Sequence, residues 1–394
     1  MPKRTLGGPM TLTESQWGRI QAQGIKGHDA DECRFPFPVP NGWFAVAQSD
    51  DLGPGQTKNV HYFGRDLVVW REEVGGQPHV VDAYCAHLGA HLGVGAGSPN
   101  SHEPGPGTVV GACLQCPFHG WRYDGSGACV EIPYAPTGRI PAKARVRAFP
   151  TVEKNGLIFA WHHAHDEPPQ WELPVLEEFD DPEWVGPVYT DRFIATALQE
   201  LMENDQDTVH FVYVHGLDAV PEQTTRWDGR MRITEARRDD GGTFTRESFQ
   251  LGYVVLRITG GFTFVGASSP VDEGHTHQRW VFAYPRRLGD ERGREMIDRF
   301  AQAGIYQDIP IWEHKKFRAH PVLVKGDGEI AEYRRWVAQF YSWPDDPADY
   351  GTRPEGPDRA AGAAGAAGAD GRAPDEPAAW RGTADTERRV STNG

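Results

Sequence analysis

Two short pairs hold the residues with the most chemistry in this chain: Cys85-Ala86-His87 and Cys116-Pro117-Phe118-His119. Two soft thiolates and two imidazoles are the donors of a [2Fe–2S] cluster in which one iron takes both cysteines and the other both histidines. The same donors also suit a structural zinc ion. Each pair runs into tight-turn residues, Leu88-Gly89-Ala90 and Gly120-Trp121, so each reads as a ligand loop projecting from strands. Cys33, Cys113 and Cys129 read as small buried apolar residues, and His91 and His102 as non-ligands. A second set lies between Glu203 and Gly216, where His210 and His215 follow Asn204, Asp205 and Asp207. Two imidazoles and one carboxylate on one face leave positions open at a non-haem Fe(II). A spacing of five turns two side chains about 140° apart on a regular helix, so the helix must end or distort between the histidines. Gly216 offers the stop.

Short strands must carry the first set. Gly42–Ala47, Asn59–Phe63, Leu67–Trp70, His79–Ala83 and Leu157–Trp161 alternate with turn residues and predict a compact all-β unit. The Pro-rich stretch 166–174 reads as a linker or crossing loop. A helix is expected from Ala195 to about Val212, with Leu198, Leu201, Met202 and Val209 near helical spacing. Strands are then expected at Met231–Ala236, Thr243–Phe249, Val254–Ile258, Gly261–Val265 and His277–Tyr284, and a helix over Arg294–Phe317. The whole is an α+β chain whose second half has an antiparallel sheet. The expected divisions are an N-terminal extension (1–34, with a short helical pattern around Leu12 to Gln23), an all-β domain (35–165), a catalytic domain (166–350) and a disordered tail (351–394), the tail being Gly- and Ala-rich with few large apolar residues.

With 394 residues, more than one core is expected, and 39% apolar residues suffice to build them. A formal charge of −15 disfavours nucleic acid and anionic membranes as partners. No stretch approaches the ~18 consecutive apolar residues of a transmembrane helix. Five cysteines in so long a chain fit a reducing compartment, so a cytoplasmic location is expected.

The stretch CAHLGAHLG…CLQCPFHGWRYDGSGACVEIPYA resembles the Rieske domain of the aromatic-ring and steroid oxygenases. It departs in one respect: the 28 residues from Leu88 to Gln115 exceed the usual separation. The excess falls in Ser98–Thr108 and reads as a surface-loop insertion, which ligation should tolerate because closure cost grows slowly with length. Asn204, Asp207, His210 and His215 match that superfamily's Asn-x-x-Asp-x-x-His-x-x-x-x-His pattern. The context Asp308-Ile309-Pro310-Ile311-Trp312-Glu313 resembles the branch holding 3-ketosteroid 9α-hydroxylase and cholesterol 7-desaturase.

The resemblance implies Cys85, His87, Cys116 and His119 as ligands of a Rieske [2Fe–2S] cluster, and His210, His215 and Asp308 as ligands of a mononuclear Fe(II), with Glu313 the fallback. Asp308 is expected within a helix that packs Ile305, Ile309 and Trp312 inward and is kinked by Pro310. Asp207 is implied as the acid bridging the iron-bound histidine to the cluster histidine of a neighbouring subunit, hence a homotrimer; Asp205 is its rival, and Asn204 lies behind the ligands. A helix-grip-like catalytic domain, dioxygen, and electrons from a ferredoxin or flavin reductase are implied as well. So is a large, flat, apolar substrate such as a steroid or sterol, hydroxylated or desaturated. Phe249, Tyr253, Val255, Phe262, Phe264, Trp280 and Phe282 supply a region in which its pocket is expected. Two alternatives stay open: tailoring of a polyketide, terpenoid or aromatic natural product, including O-demethylation, and a Rieske protein that only transfers electrons.

Overall fold

The computed structural model describes residues 34–97, 102–237 and 242–342. The helical pattern around Leu12 to Gln23, Cys33 and the tail expected to be disordered lie outside them. The chain opens with β1 (Gly42–Gln48), β2 (Thr57–Tyr62), β3 (Arg65–Arg71) and β4 (Pro78–Asp82). Short strands follow: β5 (Val94–Gly95), β6 (Gly105–Pro106), β7 (Thr108–Val110), β8 (Cys113–Gln115), β9 (Arg122–Tyr123) and β10 (Cys129–Glu131). Then come β11 (Ala148–Phe149), β12 (Thr151–Lys154) and β13 (Leu157–His162). They form sheets in the orders β1-β13-β12, β11-β4-β3-β2 and β10-β9-β8-β7, with β5 paired to β6. The last part of the Ser98–Thr108 insertion is therefore built into the domain: Gly105 and Pro106 pair with Gly95 and Val94.

The second half contains β14 (Trp184–Ile194), α1 (Leu198–Glu203), α2 (His210–Tyr213), β15 (Glu222–Asp228), β16 (Met231–Arg237) and β17 (Thr243–Gln250). It continues with β18 (Tyr253–Ile258), β19 (Thr263–Pro270), β20 (Thr276–Pro285), α3 (Asp290–Gly304), α4 (Ile309–His314) and α5 (Ile330–Val337). Its strands make one seven-stranded sheet, β14-β20-β19-β18-β17-β16-β15. Alternation divides the side chains of that sheet. Tyr253 and Val255 join a core with Trp43, Phe159 and Trp161, whereas Leu256, Phe264 and Trp280 join another with Ile297 and Ile305. β1 is buried along its whole length. Its Ala45 carbonyl accepts from Ser269 Oγ (2.7 Å) and Arg279 Nη1 (2.7 Å), which ties the first half to the large sheet.

Two expected helices differ from their sequence pattern. The one expected over Ala195–Val212 is two short helices, α1 and α2, separated by a loop from Asn204 to Val209. The one expected over Arg294–Phe317 stops at Gly304 and restarts at Ile309. Pro310 sits in the first turn of α4, where its missing N–H costs nothing, so it does not kink a continuous helix.

Candidate functional site

The two Cys/His loops fold alike. Cys85 N–H donates to Ala90 O (2.9 Å) and Gly89 N–H to Cys85 O (3.0 Å); Cys116 N–H donates to Trp121 O (2.7 Å) and Gly120 N–H to Cys116 O (3.0 Å). Gly89 and Gly120 both have φ +74, a conformation L side chains avoid. Cys85 and Cys116 are buried free thiols, and burial pushes the Cys116 thiol up from its ordinary range. The His87 and His119 rings lie 4.8 Å apart, and both Nδ1 atoms are buried without a hydrogen-bond partner. Two orphaned imidazole nitrogens and two buried thiols are the donors that the two ends of a [2Fe–2S] cluster need.

Tyr123, fully buried, accepts a hydrogen bond from Ala86 N–H (3.2 Å), which leaves its own hydroxyl proton for Cys85 Sγ at 3.0 Å. Trp121 stacks on His87 at 4.6 Å. Among the residues read as non-ligands, Cys129 is buried and Cys113 partly so, while His91 Nδ1 accepts from Gly93 N–H.

The second set assembles at the break between helices. His210, His215 and Asp308 bring one ligand atom each to within 4.8 Å of one another. His210 opens α2, which ends at Tyr213, between the two histidines. Gly216 follows with φ +69. Asp308 immediately precedes α4, its side chain making no capping hydrogen bond, and is 4% exposed. Its Oδ2 is 3.3 Å from His215 Nε2. Hydrogen bonding fixes the tautomers: His210 Nδ1 faces the Asp207 carbonyl, and His215 Nδ1 lies 3.0 Å from Gln307 Oε1. With both Nδ1 atoms donating, Nε2 is the nitrogen each ring offers to a metal. Burial pushes the His210 imidazole below its ordinary pKa, against the pull of Asp308 and Asp207, so it stays neutral. This two-imidazole, one-carboxylate set fits a non-haem Fe(II).

Asn204, expected behind the ligands, has its Nδ2 3.1 Å from His210 Nε2, the nitrogen that would bind the metal, so it stands on the metal side of that ring. Asp207 Oδ1 accepts from Val209 and His210 N–H, yet the side chain remains 44% exposed. Its rival Asp205 is held instead by Arg232 (3.0 Å) and Arg246 (3.6 Å). Glu313 is outside the triad; its Oε1 faces Ala195 N–H at 3.4 Å. Gln307, Arg232 and Arg246 were not singled out from the sequence. Their only signal is their position beside Asp308 and on strands facing the loop, which becomes meaningful once the fold is known.

The triad opens onto a cavity of about 730 Å³. Phe262, Phe264 and Trp280 line it, together with Val254, Leu256, Met296 and Phe300. Four other residues expected in this region do not. Phe249, Tyr253 and Val255 point to the opposite face of the sheet, and Phe282 is fully buried behind the wall. Strand alternation sorts them, and the sequence alone did not give its phase.

An all-β cluster domain joined to an antiparallel catalytic sheet with a non-haem iron donor set defines a two-centre iron oxygenase. Residues 42–150 match the Rieske [2Fe-2S] domain, and residues 160–341 match the 3-ketosteroid 9alpha-hydroxylase C-terminal domain. The chain is 31% identical over 350 residues to cholesterol 7-desaturase nvd 1 of Ciona intestinalis, covering 78% of this chain and 70% of that one. It is 30% identical over 342 residues to the oxygenase component of 3-ketosteroid-9-alpha-monooxygenase of Mycolicibacterium smegmatis, covering 79% and 85%. Dicamba monooxygenase bound to dicamba shares the fold, with a TM-score of 0.62 at 20% identity over 77% of this chain and 97% of that one. The chain belongs to the Rieske non-haem iron oxygenases, in the branch that contains cholesterol 7-desaturase and the 3-ketosteroid 9α-monooxygenase oxygenase component. It is an oxidoreductase acting with dioxygen. No helix among the described residues is long and apolar enough to cross a membrane.

Proposed function

We propose that this chain is the oxygenase component that hydroxylates or desaturates a steroid- or sterol-like polycycle. The observation that carries this reading is the cavity. At about 730 Å³ it lies within the range of roughly 300–1,000 Å³ typical of small-molecule sites. Its walls are largely apolar, with polar groups at the triad and Asn204–Asp205, at Arg246 and Gln278 on the sheet, and at Arg292, Glu295 and Arg299 of α3. A large, flat, apolar molecule gains most by leaving water for such a space, at about 25 cal/mol per Å² buried.

Cys85, His87, Cys116 and His119 would hold the cluster, and His210, His215 and Asp308 the iron. When bound, the cluster supplies single electrons received from a separate ferredoxin or flavin reductase, and the iron activates dioxygen. The protein's own part is positional. Gln307 and the Asp207 carbonyl orient the two imidazoles, and Val254, Leu256, Phe264 and Trp280 exclude water and hold the substrate carbon near the triad. The exposed Asp207 carboxylate supports the bridging role, which requires a homotrimer placing it beside His119 of the next subunit. A cytoplasmic location goes with this reading, because the thiolate ligands and the external reductant both need a reducing compartment.

The test is a mass-spectrometric product scan of the reduced, iron-loaded protein with oxygen and a panel of sterols, 3-ketosteroids and unrelated polycycles. Gain of one oxygen on a steroid identifies a hydroxylase, and loss of two hydrogens a desaturase. Turnover of unrelated polycycles alone would overturn the steroid reading in favour of natural-product tailoring. In the same assay Asp207→Ala should keep both metals and lose turnover. Full activity in that variant would remove the bridging role.

A further inference from the structure

The polar groups beneath the ligand loop have no part in the mechanism above. Asp205 lies two residues past the end of α1, and its carboxylate meets Arg232 Nη2 at 3.0 Å. Arg246 Nη1 donates to the Asp205 backbone carbonyl (2.8 Å) and sits 3.6 Å from the carboxylate. Arg232 on β16 and Arg246 on β17 share one face of the sheet, since Thr234 pairs with Arg246 and Arg232 with Ser248. Arg232 is 1% exposed. Its guanidinium also donates to Ser248 Oγ (2.8 Å) and lies 5.4 to 5.8 Å from the rings of Trp227, Tyr333 and Trp336. A planar cation boxed by three rings cannot swing, so it fixes whatever it binds. The next residue is gripped from the other side. A Cβ on Gly328 would fall 2.2 Å from Gln206 O, so the backbone of that segment packs directly on the loop.

We propose that Arg232 and Arg246 are positioning residues that clamp Asp205, and through it the Asn204–Val209 loop that orients His210 for the iron. The linkage is short. Asp205 is two residues from Asp207, whose carbonyl accepts from His210 Nδ1 and whose carboxylate accepts from His210 N–H. Freeing Asp205 loosens the loop that carries the Asp207 carbonyl, the acceptor that orients the His210 ring. Asp205 and Arg246 also line the cavity, so a bound apolar molecule shields their contact from water. The proposal rests on His210, His215 and Asp308 being the iron ligands.

The test measures the Fe(II) dissociation constant of the full chain, with cluster intact, for wild type, Asp205→Asn and Arg246→Gln. The cluster's visible spectrum serves as the check on folding, and the thermal midpoint of the iron-free protein as the measure of stability. Removing a group that orients a ligand typically weakens metal binding 10- to 100-fold. We expect Fe(II) binding at least about tenfold weaker in both variants with an unchanged cluster spectrum. The absorption bands of Co(II) placed at the same site should change as well. If the Asn variant fails to fold, Arg246→Gln, which keeps the Arg232 pair, carries the test. A lower thermal midpoint with unchanged Fe(II) affinity and Co(II) spectrum would show a merely structural role and overturn the clamp. If wild type, Asp308→Ala and His210→Ala bind Fe(II) alike, the assignment of ligands fails and the clamp with it.

Discussion

Single hydrogen bonds decide how this chain tunes what it holds. The Tyr123 hydroxyl is committed on both sides: it accepts from Ala86 N–H and donates toward Cys85 Sγ. Burial pushes its pKa well up, so it remains a protonated donor at any working pH. A donor on a cluster sulfur favours the reduced, more negative state and so raises the potential. Tyr123→Phe should leave the cluster bound and lower its midpoint potential by tens of millivolts, where ~59 mV is a tenfold shift in a one-electron equilibrium. Redox titration followed by electron paramagnetic resonance gives the value, and an unchanged potential would show that the hydroxyl does not act on the sulfur. The same logic places Gln307 behind His215. An amide oxygen on Nδ1 selects the tautomer whose Nε2 can bind metal, though it never touches the metal itself.

At the scale of elements, the iron donors depend on helices that stop. The α2 helix ends at Tyr213, and Leu217 N–H turns back to Phe211 O (3.0 Å) around Gly216, whose φ is +69. Open space surrounds the place where a side chain would project from Gly216, so the cost of replacing it is conformational alone. Gly216→Ala should destabilise the protein by about 1 kcal/mol and retain iron. Gly216→Val, with a branched side chain in the same backbone region, should cost more and release iron, because His215 precedes the turn. Urea unfolding and iron analysis of the two variants check this; two variants as stable as wild type would mean the turn tolerates any residue.

The sequence made this stop legible, since five-residue spacing cannot share a helical face and a glycine follows. It did not reveal that the longer patterns break. Leu198, Leu201 and Met202 pack into one core, and the spacing that continues to Val209 runs on across the Asn204–Val209 loop without a helix beneath it. β14 was also hidden: its pairing shifts between Val185 and Val188, around Gly186-Pro187, so the alternation is interrupted where a strand would be sought. The cluster loops were legible because four unlike donors at fixed offsets serve few other ends. Arg232, Arg246 and Gln307 were not, because an arginine on a strand or a glutamine beside an acid looks like surface until the fold brings it to the site.

Across the whole molecule, the first half is locked to the large sheet by buried polar groups. Arg279 donates to Ala45 O (2.7 Å), Val46 O (3.3 Å) and the Tyr62 hydroxyl. Tyr62 in turn donates to His277 Nδ1 at 2.6 Å. Asp191 Oδ1 stands 3.8 Å from His277 Nε2, and Gln48 Nε2 donates to Asp191 Oδ2 at 3.4 Å. His277 accepts on Nδ1, so a proton there would displace the Tyr62 donor and break the chain. Burial, reinforced by Arg279 and opposed by Asp191, pushes His277 down to about 4; burial also pushes His162 down to about 4. An unfolded chain protonates such a histidine near pH 6.5, whereas the folded protein does so only near 4. The unfolded state therefore binds more protons between those values, and stability falls as pH is lowered through that window. Above about pH 6.5 the contribution is complete. Its loss by pH 4 amounts to roughly 3 kcal/mol for His277. The carboxylate of Asp191, itself held below its ordinary range with His277 and Arg279 outweighed only in part by burial, loses its contribution at still lower pH. Urea unfolding of wild type and His277→Gln from pH 7 to 4 separates the two. The wild type should lose stability more steeply between pH 6.5 and 4, so the gap between the proteins narrows as acid is added. Parallel slopes would mean that His277 is protonated in the folded protein as readily as in the unfolded chain, and that the seam between the two halves carries no such load.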